Sequence, residues 1–148
     1  MRISAKGRYA LAAASHMAAV QRHGECITVI SISEKLGISK IYLEQVFSLL
    51  KRGGLVRSVK GAQGGYQLTR MPGRISAFDV LSSVELSLFE KTEAAVSEKA
   101  PEIDAAMRSC VFAPLDQIVA EALKSTTLDD LAAAAEKQKT GDGMMYYI

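Results

Sequence analysis

The run ISKIYLEQVFSLLKRGGLVRSVKGAQGGYQL, from Ile38 to Leu68, restricts this chain more than any other segment. Ser39 is placed to cap a helix over Lys40 to Arg52. Ile41, Val46, Leu49 and Leu50, with Leu43 and Phe47, give that helix one broad apolar face for burial. Gly53-Gly54 ends it. Leu55, Val56 and Val59 then precede Gly61-Ala62-Gln63-Gly64-Gly65, and Tyr66 and Leu68 follow, the pattern of two short strands around a glycine-rich turn. A capped amphipathic helix running straight into a hairpin leaves few architectures open.

The flanking sequence narrows them further. Ser4 can cap a first helix running to about His23, with Gly24 as its stop, and Thr28 a second through Leu36. Gly37-Ile38-Ser39 is then the turn between the second and third helices. Helix, turn, helix and hairpin in this order predict a mainly α fold with a small β-hairpin wing, a winged helix-turn-helix, over residues 1–85. Ser76-Ala77-Phe78-Asp79 has capping-box spacing and starts a further helix. From Leu86 to Arg108 the pattern fits a loop, a short helix or both. Leu115, Ile118, Val119, Ala122 and Leu123 then form an amphipathic stripe, with Pro114 at its first position or kinking a longer helix. Ser125-Thr126-Thr127 caps a last helix containing Leu128 and Leu131, with Asp129 and Asp130 in its first turn. Residues 86–135 read as a linker with dimerisation and regulatory helices detached from the first domain, and 136–148 as a tail.

Charge is divided between the halves. Residues 1–74 carry 12 Lys/Arg against 3 acids, net +9, and residues 75–148 carry 6 against 13, net −7. That split points the first half at a polyanion, or at the second half across an internal interface. The expected winged helix favours double-stranded DNA. Its third helix can enter the major groove with Ser39, Lys40, Tyr42, Glu44 and Gln45 near the bases; Gln45 can pair with adenine and Glu44 can accept from a cytosine amino group. Arg57, Lys60 and Gln63 surround the glycines of the wing, where backbone can approach phosphate closely. Ser4, Lys6 and Arg8 can hold a phosphate at the start of the first helix.

Other classes lack their signatures. No apolar run reaches the ~18 residues of a membrane span, and the basic, Ala-rich start lacks a cleavage-like site. Two cysteines make no disulfide framework, which fits a cytoplasmic chain. His16 and His23 are isolated and GAQGG sits in a hairpin rather than before a helix, so no enzyme is expected.

MRISAKGRYAL, the YLEQ-to-GGY block and STTLDDL resemble the winged-helix bacterial repressors that include the iron–sulfur regulator IscR and the cysteine-metabolism repressor CymR. The resemblance is strong over residues 1–85 and weaker over 115–132. It implies a homodimer on an imperfect palindrome, with the helix at 115–124 as the dimerisation helix. In the family an Arg often stands in the wing where this chain has Lys60. The iron–sulfur members hold a cluster with three cysteines before the dimerisation helix and a fourth ligand. Here Leu86 to Pro114 contains Cys110 and no His, so no cofactor is expected. The end MMYYI resembles that of the cysteine-metabolism type, in which a partner enzyme, O-acetylserine thiol-lyase (cysteine synthase), is bound; Tyr147 and Ile148 would then make that contact. Cys26, just before the second helix, is the alternative sensor, a thiol switch, while Cys110 reads as core. A winged-helix interaction module without DNA binding is the reading from another class.

Overall fold

The computed structural model of the chain describes residues 2–21 and 25–145. Its first three helices begin where the sequence supplies side-chain caps. Ser4 accepts from Gly7 N to start α1 (Ala5–Val20), Thr28 from Ser31 N to start α2 (Val29–Leu36), and Ser39 from Tyr42 N to start α3 (Lys40–Arg52). Gly37 closes α2 in the left-handed region at φ 69°, which glycine adopts without strain. The core is built from Ala10, Ala13, Ala14 and Met17 of α1, Ile32 of α2, Leu43, Val46, Phe47 and Leu50 of α3, and Val80 and Val84 of α4 (Ala77–Val84). Small side chains along α1 let α2, α3 and α4 approach it. Burial holds the His16 imidazole of α1 below its ordinary pKa of 6.5, and the charge of Lys35 adds to this.

The wing is an antiparallel pair, β1 (Val56–Val59) with β2 (Gly65–Leu68), in register Val56↔Leu68 and Val59↔Gly65. A third strand position flanks it. Ile27 N donates to Tyr66 O at 2.9 Å and Tyr66 N to Ile27 O at 2.8 Å. This close approach demands Gly65, since a Cβ there would lie 2.6 Å from the Ile27 carbonyl oxygen and φ is +149°. The Tyr66 ring rests on buried Phe47, centroids 4.6 Å apart.

Beyond α4 the loop 86–100 is tied down by side chains. Phe89 packs on Phe78, Asp104 Oδ1 accepts from the Ala95 and Val96 amides, and Arg108 donates to Thr92 O. A helical rod then runs as α5 (Pro101–Met107), a π-helical segment (Arg108–Phe112) and α6 (Ala113–Lys124). Pro114 falls in the first turn of α6 and, at the same time, inside the longer rod. It has no N–H, and its ring would crowd the Cys110 carbonyl. The widened turn just before it, in which Ala113 N bonds Arg108 O, lets the helix continue.

The last helix departs from the expected division of the chain. Helix α7 (Leu128–Met145) is not detached: it packs along α1 and carries Leu128, fully buried, into the first domain's core, with Leu131 against it. The entry is fixed by backbone pairing. Leu128 N donates to Ile75 O at 2.9 Å and Ala77 N to Thr126 O at 2.8 Å. Two capping boxes face each other across this bridge, Ser76 with Asp79 and Thr127 with Asp130. The compact winged-helix unit therefore contains residues 2–21, 25–85 and the start of α7, with the α5–α6 rod as an excursion from it.

Candidate nucleic-acid interface

Helix α3 has two faces. Leu43, Val46, Phe47 and Leu50 point into the core, while Ile41, Glu44, Gln45 and Ser48, spaced one turn apart, are exposed. Ile41 corrects the expectation of one broad buried face. It lies two residues from Leu43, roughly 200° around the helix, and is 72% exposed rather than buried. Lys40 Nζ lies 3.9 Å from Glu44 Oε1, a solvent-exposed pair. Ser39 is also exposed, but its Oγ already accepts from the Tyr42 amide as the cap. Tyr42 is half-buried with its ring edge-on to Tyr9, centroids 5.0 Å apart, so its first task is packing.

The wing lies beside this helix, and Lys51 of α3 donates to Ser58 Oγ of β1 at 3.0 Å. Arg57 Nε donates to Gln67 Oε1 on the opposite strand at 3.0 Å, which steadies the guanidinium. Lys60 and Gln63 are exposed at the tip, where Gly61 at φ +117° and the Gly64 N to Gly61 O bond make the tight turn. The exposed polar positions of α3 and the wing cations thus fall on adjoining elements. Ser48, Lys51 and Arg52 join this exposed set; one-turn spacing from Gln45 would have found Ser48.

The N-terminus of α1 is arranged differently from expectation. Ser4 N donates to Glu85 Oε1 at 2.8 Å, and the Ser4 hydroxyl bonds the same oxygen. The position expected to take a phosphate is filled by the chain's own carboxylate, from just beyond α4. Arg8 is exposed and donates to Ile3 O at 2.8 Å; Lys6 is half-buried. Nothing local in the sequence links Ser4 to Glu85, so this contact was not legible there.

The stripe expected for dimerisation divides. Leu115, Ile118 and Ala122 are exposed, whereas Val119 and Leu123 are half-buried on the helix that packs against α4. Ile103 and Val111 extend the exposed apolar row toward the start of the rod. Cys26 is half-buried and immediately precedes Ile27, the residue paired to the wing. Cys110 is exposed on the π-helical segment, not in the core. Tyr147 and Ile148 lie outside the described residues, as does His23. No helix among the described residues is long and apolar enough to cross a membrane.

Comparison with known proteins agrees with the fold. The family profile described as "Rrf2: Iron-dependent Transcriptional regulator" matches residues 3–134. The transcriptional regulator CymR of Bacillus subtilis is 36% identical over the whole of both chains. IscR of Xenorhabdus nematophila is 36% identical over 96% of this chain and 85% of its own. The solved structure of B. subtilis CymR, described as the global cysteine regulator, superposes with a TM-score of 0.72 at 34% identity, covering 90% of this chain and 98% of that one. The donor set here does not fit an iron–sulfur cluster, which takes about four ligands. Cys110 Sγ lies 3.8 Å from Ser109 Oγ, Cys26 sits on the wing side of the fold, and among the described residues no three His, Cys, Asp or Glu side chains gather. With the profile spanning most of the chain and the winged helix in place, the chain belongs to the Rrf2 family of transcriptional regulators.

Proposed function

We propose that this regulator represses genes of cysteine and sulfur supply, binding an imperfect palindrome in double-stranded DNA as a homodimer. The observation that carries the DNA reading is the exposed row on α3, Glu44 and Gln45 above all, adjoining a wing that presents Arg57 and Lys60. Cations at the wing contact phosphate; the α3 side chains read base edges. Ser39, Lys40 and Tyr42 orient the start of that helix, and Lys6 and Arg8 lie near the Glu85-capped start of α1. The dimer forms through Leu115, Ile118 and Ala122, with Val119 and Leu123 backing them. The sulfur assignment is supported by similarity to CymR over the whole of both chains and by a donor set unsuited to a cluster.

The test is operator titration at several salt concentrations. Gln45→Ala costs ~1–3 kcal/mol, roughly 5- to 150-fold in affinity, and relaxes preference at one base pair. Lys60→Ala weakens all sequences alike and reduces the slope of log affinity against log salt by about 1. Unchanged affinity in both variants would leave an interaction module in place of a DNA-binding repressor. Regulation runs through the tail, with Tyr147 and Ile148 making the contact with the O-acetylserine thiol-lyase. A chain ending at Met145 should lose capture of that enzyme and keep operator affinity; capture by the shortened chain refutes the tail contact.

A thiol switch at Cys26 is the second reading, favoured by one observation: the next residue is hydrogen-bonded to the wing. Hydrogen peroxide would convert the Cys26 thiolate to a sulfenic acid with release of hydroxide. In the same titration, peroxide then weakens binding by the wild type and leaves Cys26→Ser untouched; equal responses dismiss the switch.

A further inference from the structure

Ile41 occupies the first turn of α3, 72% exposed, and nothing in the fold accounts for it. A single exposed apolar side chain is ordinary on a protein surface. The position of this one is not, because Glu44, Gln45 and Ser48 follow at three, four and seven residues and are all exposed. Ile41 is therefore part of the row that faces the duplex in the DNA reading above, on which this inference rests. The start of a recognition helix is also the part that reaches base edges.

The chemistry of the side chain selects what it can read. Isoleucine has no donor or acceptor, so it contributes nothing to a phosphate or to a polar base edge. Branching at Cβ holds it close to one rotamer in a helix, so its methyl surface is presented with little entropy to lose. The major-groove feature that matches a fixed apolar surface is the C5 methyl of thymine. Its neighbour one turn on, Gln45, is suited to adenine, and the two side chains together would span neighbouring base pairs.

We propose that Ile41 is a specificity-determining residue that reads the C5 methyl of a thymine in each half-site. Both the wild type and Ile41→Ser are used to select duplexes from a random-sequence pool. Thymines in the selected duplex are then replaced singly by uracil, which removes only the methyl. The wild type should select thymine at one half-site position and lose roughly fourfold in affinity per half-site with uracil there. Ile41→Ser should lose that preference and bind the thymine and uracil duplexes alike, with an unchanged unfolding midpoint because the side chain is on the surface. Gln45→Ala should remain sensitive to uracil. Uracil tolerated at every position by the wild type, or the same base preferences in wild type and Ile41→Ser, would overturn the proposal. Enrichment of no sequence by either protein would instead defeat the DNA reading and this inference with it.

Discussion

Leu128→Ala should lower the thermal unfolding midpoint by on the order of 10 °C and remove operator binding near that temperature, although Leu128 lies far along the chain from the helix-turn-helix. The side chain is fully buried among residues of the winged-helix core. Truncating a buried leucine to alanine costs ~2–5 kcal/mol, the lost transfer energy plus the cavity left behind. That is a large share of the ~5–15 kcal/mol that holds a domain of this kind together, and a chain of this length shifts by a few degrees for each kcal/mol. The backbone bonds around it, Leu128 N to Ile75 O and Ala77 N to Thr126 O, restrict how far the site can collapse to fill the space. Melting followed by circular dichroism, with Leu86→Ala as the exposed comparison, measures the effect. A midpoint no lower than that of Leu86→Ala would mean that α7 does not support the core.

On the proposed pairing through α6, Ile118→Asp should leave a folded monomer and weaken operator binding by at least ~100-fold. Ile118 is 64% exposed and Leu115 53%, so the single chain loses little when either becomes polar. In a two-fold interface the substitution enters twice, and each unpaired carboxylate taken out of water costs several kcal/mol. A monomer has one half-site grip in place of two, and most of the affinity gained by linking them disappears. Sedimentation gives the mass, and circular dichroism shows whether the chain remains folded. Val119→Asp should behave differently, lowering the melting midpoint as well, because Val119 is half-buried within its own chain. A dimer that persists in Ile118→Asp would place the contact between copies elsewhere.

What could be read from the sequence was set by the range of the interactions. Ser4, Thr28, Ser39, Ser76 and Thr127 are recognisable as caps because each bonds a backbone amide only three residues on. The glycine turn of the wing is equally local. Contacts closed by the fold left no local trace: Glu85 at the start of α1, Ile27 on Tyr66, and Thr126 and Leu128 beside Ile75 and Ala77. The separation of α7 from the first domain failed for that reason, since Leu128 and Leu131 look like any amphipathic pair until their partners are known. Ile41 failed for another. Counting apolar residues along α3 gathered it with Leu43, whereas their angular separation puts them on different faces. At the candidate site the residue types in α3 and the wing were legible. The phosphate position at α1 was not, because the carboxylate that fills it comes from beyond α4.

The Ile27–Tyr66 bridge ties the wing to the segment that leads into α2. Its strand β2 is bonded on one side to β1 and on the other to the segment before α2, like the second jaw of a calliper. On a duplex each base pair advances about 3.4 Å. In the proposed complex, the number of steps between the pairs beneath the helix and those beneath the hairpin would then follow from polypeptide geometry, leaving the nucleic acid to bend or twist wherever its own spacing disagrees.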